Sequence, residues 1–225
     1  GTPLAEQPGT LWDYGHSMDV LARVIEVVSG QSLYAFEKER LFGPLGMKDT
    51  SYYVADPSQH RRIAEPLPSD NNFRTGSSRN PRVFTKWEAG TSGLLSTIGD
   101  YSRFTQMLLN GGELDGRRYL KPETFANMTA NHIAPATGVK RGSYYFPGDG
   151  FGYGLGFGIR TEPGNAKPPP PGSLGEIKWD GAGGTYFWVD RAQDMFVILM
   201  IQSPSERGRI QPALKAMVYD ALVPN

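Results

Sequence analysis

Between Gly175 and Gln202, two short apolar runs flank a polar link, and this pattern most limits what the chain can form. The second run, Met195-Phe-Val-Ile-Leu-Met-Ile-Gln202, is about eight residues long, the length of a buried strand and short for a helix. Asp190-Arg-Ala-Gln-Asp194 between the runs fits a hairpin connection. Gly181, Gly183 and Gly184 fall between Trp179 and Tyr186, inside what reads as a packed sheet. Glycines there imply a bulge, or a backbone or ligand that approaches closely. Taken alone, the stretch is a tight hairpin in an ordinary sheet.

The 225 residues suffice for one large domain or two small ones. With 39% hydrophobic and 20% charged residues, the chain is globular and not disordered. Lys plus Arg equals Asp plus Glu at 23 each, which gives no basic face for nucleic acid or an acidic membrane. The absence of cysteine excludes disulfides, thiolate zinc sites and a cysteine nucleophile, and fits either a reducing or an oxidising compartment. The three histidines, His16, His60 and His132, make no metal-binding pair, so no metal or other cofactor is expected. No apolar run reaches the ~18 residues of a membrane span.

The sequence begins Gly1-Thr2-Pro3, with no methionine or signal peptide, and reads as a piece of something longer. A helix is expected from His16 or Ser17 to Gly30, with Val20, Leu21, Val24, Ile25, Val27 and Val28 on its buried face. Ser32 caps a second helix that Gly43-Pro44 ends. Ser51–Val54 reads as a short strand. A polar excursion from 55 to 86 carries the run Ser69-Asp-Asn-Asn72, and long loops of this kind are often functional. Leu94-Leu95 is expected to be buried. Thr97 or Asp100 caps a helix closed by Gly111-Gly112, and Pro122 opens another that runs to Asn131. Phe151–Arg160 alternates glycine with large apolar residues and reads as one strand with a bare face. Glu162–Gly172 is a stiff loop. Pro212–Leu222 is a last helix, packed through Leu214, Met217, Val218 and Leu222.

Helices, then strands, then a final helix indicate an α+β fold with an antiparallel sheet. Residues 1–150 read as its mainly helical and loop part, and 151–225 as the sheet strands and last helix of the same domain.

Five segments occur in order: Pro8-Gly9-x-x-Trp12-x-Tyr14, Val28-Ser29-Gly30, Phe42-Gly-Pro-Leu-Gly-Met-Lys-Asp-Thr50, Gly93-Leu-Leu-Ser-Thr97 and Trp179–Asp190. Together they resemble the penicillin-recognising serine hydrolases, in particular class C β-lactamase-like proteins, D-amino peptidases and related carboxylesterases. The resemblance spans nearly the whole chain and implies a β-lactamase/transpeptidase-like fold. That family's nucleophile lies in Ser-x-x-Lys. No serine here has lysine three residues on. The resemblance therefore implies a C-terminal portion, with the nucleophile in an absent N-terminal segment.

The family's second motif, Tyr-x-Asn, matches Tyr14-Gly-His16 only in the tyrosine. The resemblance implies that Tyr14 activates the serine and protonates the leaving group. A phenol of free pKa ~10 needs a nearby cation for that work. Taken alone, Tyr14 reads as a half-buried aromatic at the start of a helix. The third motif, Lys-Thr/Ser-Gly, corresponds to Trp179-Asp180-Gly181. There Trp179 offers an apolar wall in place of a cation, and Asp180 would repel an anionic substrate. Core packing explains Trp179 equally well. Gly181 would let an acyl group lie against the strand, and the Ala182 N–H would be one oxyanion donor. Ser92, His60 and His132 read as turn or loop residues, Asp19 as a complement to its helix dipole, and Tyr144-Tyr145 as strand packing or cleft lining.

These departures from the family motifs favour a neutral ester or amide as substrate. The alternatives are a β-lactamase or D-amino peptidase of the same fold, or a non-catalytic binding module. Without the N-terminal part, a sheet edge and one face would be exposed, so an oligomer or a companion segment is expected.

Overall fold

In the computed structural model, which describes residues 3–70 and 80–222, the first elements are strand β1 (Leu11–Trp12) and helix α1 (Ser17–Ser29). Gly30 closes α1 at φ 71°, donating its N–H to Glu26 O at 2.9 Å. The apolar stripe of α1 is not covered, contrary to the sequence expectation. Ala22 is its one buried residue among those described, while Val20, Leu21, Val24, Val27 and Val28 are 50–82% exposed.

Ser32 caps α2 (Leu33–Glu37) by accepting the Ala35 N–H at 3.2 Å. The helical path does not stop at Gly43-Pro44. It widens into a π-turn (Lys38–Phe42) and continues as α3 (Gly43–Leu45), ending at Gly46 with φ 73°. The wider turn lets Gly43 N–H reach Lys38 O and leaves Pro44 in a first turn, where a missing donor costs little. Phe42, Leu45 and Met47 enter the core from this corner.

The expected strand at 51–54 reduces to one antiparallel bridge, Ser51 to Leu95, with N–H···O distances of 3.1 and 2.7 Å. Leu94 beside it is 41% exposed and not buried as expected. Asn71 and Asn72 of the polar run lie outside the described residues. Thr97 caps α4 (Ile98–Leu109), accepting the Asp100 N–H at 3.2 Å. The Asp100 carboxylate instead accepts Asp49 N–H at 2.7 Å and the Thr50 hydroxyl at 2.8 Å. A small hairpin, β2 (Glu113–Leu114) and β3 (Arg117–Arg118), leads to α5 (Pro122–Met128). This helix ends before Asn131, where the Thr129 hydroxyl turns back to Phe125 O at 3.0 Å. Strand β4 (Lys140–Arg141) then pairs in parallel with β1.

The main sheet runs β5 (Phe151–Tyr153), β6 (Gly158–Arg160), β7 (Ile177–Asp180), β8 (Tyr186–Asp190) and β9 (Met195–Leu199), each antiparallel to the next. Phe151–Arg160 is thus a hairpin and not one strand, with Phe151 opposite Arg160. Gly156 at φ 93° permits the turn. Alternating glycines cannot distinguish the two forms, because the turn uses the same residues that bare one strand face.

One sheet face carries Ile177, Phe187 and Val189 into a core shared with Phe42, Met107, Leu108 and Leu114. The other face carries Tyr186 and Trp188 toward α6 (Arg207–Asp220), where Trp188 stacks on Tyr219 at 6.3 Å. The last helix packs differently from its apolar pattern. Met217 is 70% exposed, while buried Lys215 forms an ion pair with buried Glu176. Among the described residues no strand pairs with the outer edge of β9.

Candidate active site

Tyr14 is held by the segment 140–144. Its N–H donates to Tyr144 O at 3.0 Å, and Tyr144 N–H donates to the Asp13 carboxylate at 2.8 Å. With the β1–β4 pairing, these bonds lace residues 11–14 onto 140–144. Gly142 makes this possible, since a side chain there would overlap the Asp13 carboxylate. The Tyr14 ring stacks on Phe146 at 4.8 Å and 25°, and meets Trp179 at 6.1 Å. It is 45% exposed, and among the described residues its hydroxyl has no hydrogen-bond partner and no cation lies over its ring.

Trp179 joins two further rings, Phe146 at 5.3 Å and Tyr153 at 5.7 Å, and Tyr153 touches Trp12 at 4.7 Å. Burial raises the Tyr153 phenol pKa, and negative charge on Tyr14 would raise it further. A phenol needs a nearby cation for base work, and among the described residues none lies over the Tyr14 ring.

Alternation along β7 separates the other expected residues. Trp179 faces Tyr14, whereas Lys178 and Asp180 face α6. Asp180 is pushed up by burial, against the opposing pull of Arg207, Lys178 and Gln211. Burial brings Lys178 down to about 8, and its ammonium sits 4.0 Å from the Phe151 ring centre. Gly181 opens the turn into β8, with Thr185 occupying the space a side chain would need. At Gly183 and Gly184 a Cβ would meet Gln202 Oε1 at 2.7 Å and Ile201 Cγ1 at 2.8 Å. The close approach signalled by this glycine cluster therefore includes the chain itself. Ala182 is exposed, and among the described residues its N–H donates no hydrogen bond.

His16 is exposed and bonds Asp19 at 2.9 Å. Asp19 does more than complement the dipole: it accepts the Thr91 hydroxyl at 2.8 Å and the Thr91 N–H at 3.2 Å, tying α1 to the Gly90–Gly93 turn. Burial acts to raise its pKa, but the bonds from His16 and Thr91 outweigh that and lower it. Ser92 is exposed in this turn. His60 and His132 bond the carbonyls of Val54 at 2.9 Å and Asn127 at 2.8 Å.

Structure thus brings together Tyr14 and Trp179 and adds Phe146 and Tyr153, which sequence reasoning missed. The available signal was the aromatic run Tyr144-Tyr145-Phe146, but nothing local tells which ring turns inward; Tyr144 is 73% exposed. A separate concavity of about 530 Å³ is lined by Asn110, Pro122, Phe125 and Arg191 and shares no residue with the aromatic group. Among the described residues, no group of three or more His, Asp or Glu side chains is placed to hold a metal ion, and no helix is long and apolar enough to cross a membrane.

The sequence model of the Beta-lactamase family matches residues 1–219. An uncharacterized protein of Mycobacterium tuberculosis is 36% identical over 208 residues, covering 89% of this chain and 51% of that protein. The lovastatin esterase of Penicillium rubens is 30% identical over 221 residues, covering 89% and 53%. The chain spans about half the length of these curated relatives. A solved hydrolase with promiscuous acyltransferase activity, EstCE1, superposes with a TM-score of 0.72 at 21% identity, over 97% of this chain and 58% of that one. Helices flanking an antiparallel sheet, in the β-lactamase/transpeptidase-like arrangement, agree with the sequence match: the chain belongs to the Beta-lactamase family.

Proposed function

We propose that this chain is the C-terminal part of a carboxylesterase-like serine hydrolase whose Ser-x-x-Lys nucleophile lies in a segment outside it. The observation that carries this reading is the meeting of Tyr14 and Trp179 at 6.1 Å, with Ala182 exposed three residues further along the chain. The relative that acts as a lovastatin esterase supports an ester as substrate. In this reading the serine hydroxyl attacks the ester carbonyl, and Tyr14 takes its proton and passes it to the leaving alcohol. The Ala182 N–H stabilises the oxyanion, and water then releases the acid from the acyl-serine. Trp179 supplies an apolar wall. Gly181 does not give the acyl group room, because the Thr185 hydroxyl fills the space beside it, and Asp180 faces away from Tyr14. The missing lysine is the cation that Tyr14 lacks. The exposed stripe of α1 and the free edge of β9 are where the absent segment, or a second copy, would pack.

The test uses this chain and the longer parent. The chain alone should neither hydrolyse p-nitrophenyl butyrate nor be labelled by a serine-directed phosphonate; labelling would sink the assignment. The parent, carrying Ser-x-x-Lys, should do both, and Tyr14→Phe should remove most of its activity. Full activity with phenylalanine at 14 would end the proposed role of the tyrosine.

A further inference from the structure

Phe146 has no part in the proton transfers described above, yet it touches both residues that define the site. It stacks on Tyr14 at 4.8 Å and lies 5.3 Å from Trp179 with the ring planes at 54°. Tyr153 is the third ring of the group, 5.7 Å from Trp179 at 63°. Phe146, Tyr153 and Trp179 are each half-buried, so their ring faces are not wholly covered.

The lining is uncharged. Among the described residues no cation lies over any of these rings, although cations do lie over Phe151, Tyr145 and Trp188 nearby in the fold. Lys178 and Asp180 face the other side of β7. An ionised group entering here would lose hydration and gain no partner. A flat ring would gain offset or edge contacts with the tilted aromatic walls.

We infer that Phe146, Tyr153 and Trp179 form a three-sided slot beside Tyr14 that takes a flat, uncharged ring of the substrate, and that Phe146 sets this preference. The inference rests on the ester-hydrolase reading for the identity of the ligand as a substrate, but not for the binding itself. Phe146 is fixed for the task by its neighbours: the Tyr144 backbone is bonded on both sides to Asp13 and Tyr14, two residues before the ring.

Calorimetric titration of this chain with methyl 2-naphthoate tests the slot without any turnover. Saturable binding is expected, with free 2-naphthoate and methyl butyrate each at least about tenfold weaker. Phe146→Leu keeps an apolar side chain but removes the ring, and should weaken methyl 2-naphthoate about tenfold with the thermal melt unchanged. Phe146→Ala should weaken it at least as much; if that variant does not fold, Phe146→Leu decides. No saturable binding by the unaltered chain, equal binding of the free acid, or unchanged binding by Phe146→Leu overturns the proposal. A parent that hydrolyses ethyl and 2-naphthyl butyrate equally well sinks the slot and leaves the ester-hydrolase reading standing. Ring binding by this chain, with a parent that hydrolyses no ester, does the reverse.

Discussion

The ring of Tyr14, just before the first helix, lies 6.1 Å from the ring of Trp179 on a central strand of the sheet. Neither residue's local sequence requires this. The contact exists because residues 11–14 are laced onto 140–144, which brings Phe146 against both rings.

That lacing can be broken at Gly142. A methyl group there would overlap the Asp13 carboxylate. Gly142→Ala should cost about 1–3 kcal/mol in urea unfolding, as overpacking does. Under the proposed role of Tyr14, it should lower kcat for ester hydrolysis by the parent tenfold or more, since small misplacements of catalytic groups are expensive. Asp13→Ala in the same chain should recover part of the stability. An unchanged melt and unchanged kcat in Gly142→Ala would remove the 140–144 loop from the account of Tyr14.

Glu37 provides a pH test. Burial pushes its carboxyl up to about 7, the Tyr52 hydroxyl at 3.2 Å resists the shift, and Glu88 adds to it. The folded chain therefore holds this proton more tightly than the unfolded chain. Its contribution to stability is lost as pH rises from the ordinary glutamate value of 4.5 to about 7, and is level above that. Because the group is partly exposed, the loss should be only about 1–2 kcal/mol. Glu37→Gln should flatten the stability difference between pH 5 and pH 8 by that amount, read from urea midpoints at both. Equal pH slopes in the two proteins would show that Glu37 keeps its ordinary affinity for protons.

The ion pair between Lys215 and Glu176 is buried on both sides. Burial pushes the Glu176 carboxyl up and the Lys215 ammonium down, each toward neutrality, and their pairing opposes both shifts. Lys215→Met should therefore cost about 3 kcal/mol, because it leaves a carboxylate without its partner. Adding Glu176→Leu should recover most of that loss. Two single losses that simply add would mean the residues are not coupled.

The uncovered stripe of α1 predicts association. Val20, Leu21, Val24, Val27 and Val28 together make an exposed apolar face. Light scattering should find the chain self-associated at micromolar concentration, and Val24→Lys with Val27→Lys should shift it toward the monomer. A strictly monodisperse monomer before substitution would show that this face is tolerated in water.

The elements differ in how well they could be read from sequence. The hairpin joining β8 and β9 was legible because apolar runs of strand length flank the polar Asp190–Asp194 link, where Asp190 accepts the N–H groups of Ala192 and Gln193. The ends of α1 and α4 were legible because Gly30, Thr97 and Gly111-Gly112 act through their own backbone or nearest neighbours. Leu33–Leu45 was misjudged at Gly43-Pro44, since widening one turn lets a helix pass a proline. The last helix was misjudged in its packing, because the partner that buries Lys215 is Glu176, far away in the chain.

The α+β order, the strands around Trp179 and the motifs that mark the family are legible along the chain, because period, turn residues and helix caps act over a few neighbours. Tertiary structure alone decided that Phe151–Arg160 folds back on itself, that Asp180 faces away from Tyr14, and that Phe146 and Tyr153 join Trp179 around it. Those outcomes depend on which segments meet in space, and close packing between distant segments leaves no periodic trace in either one.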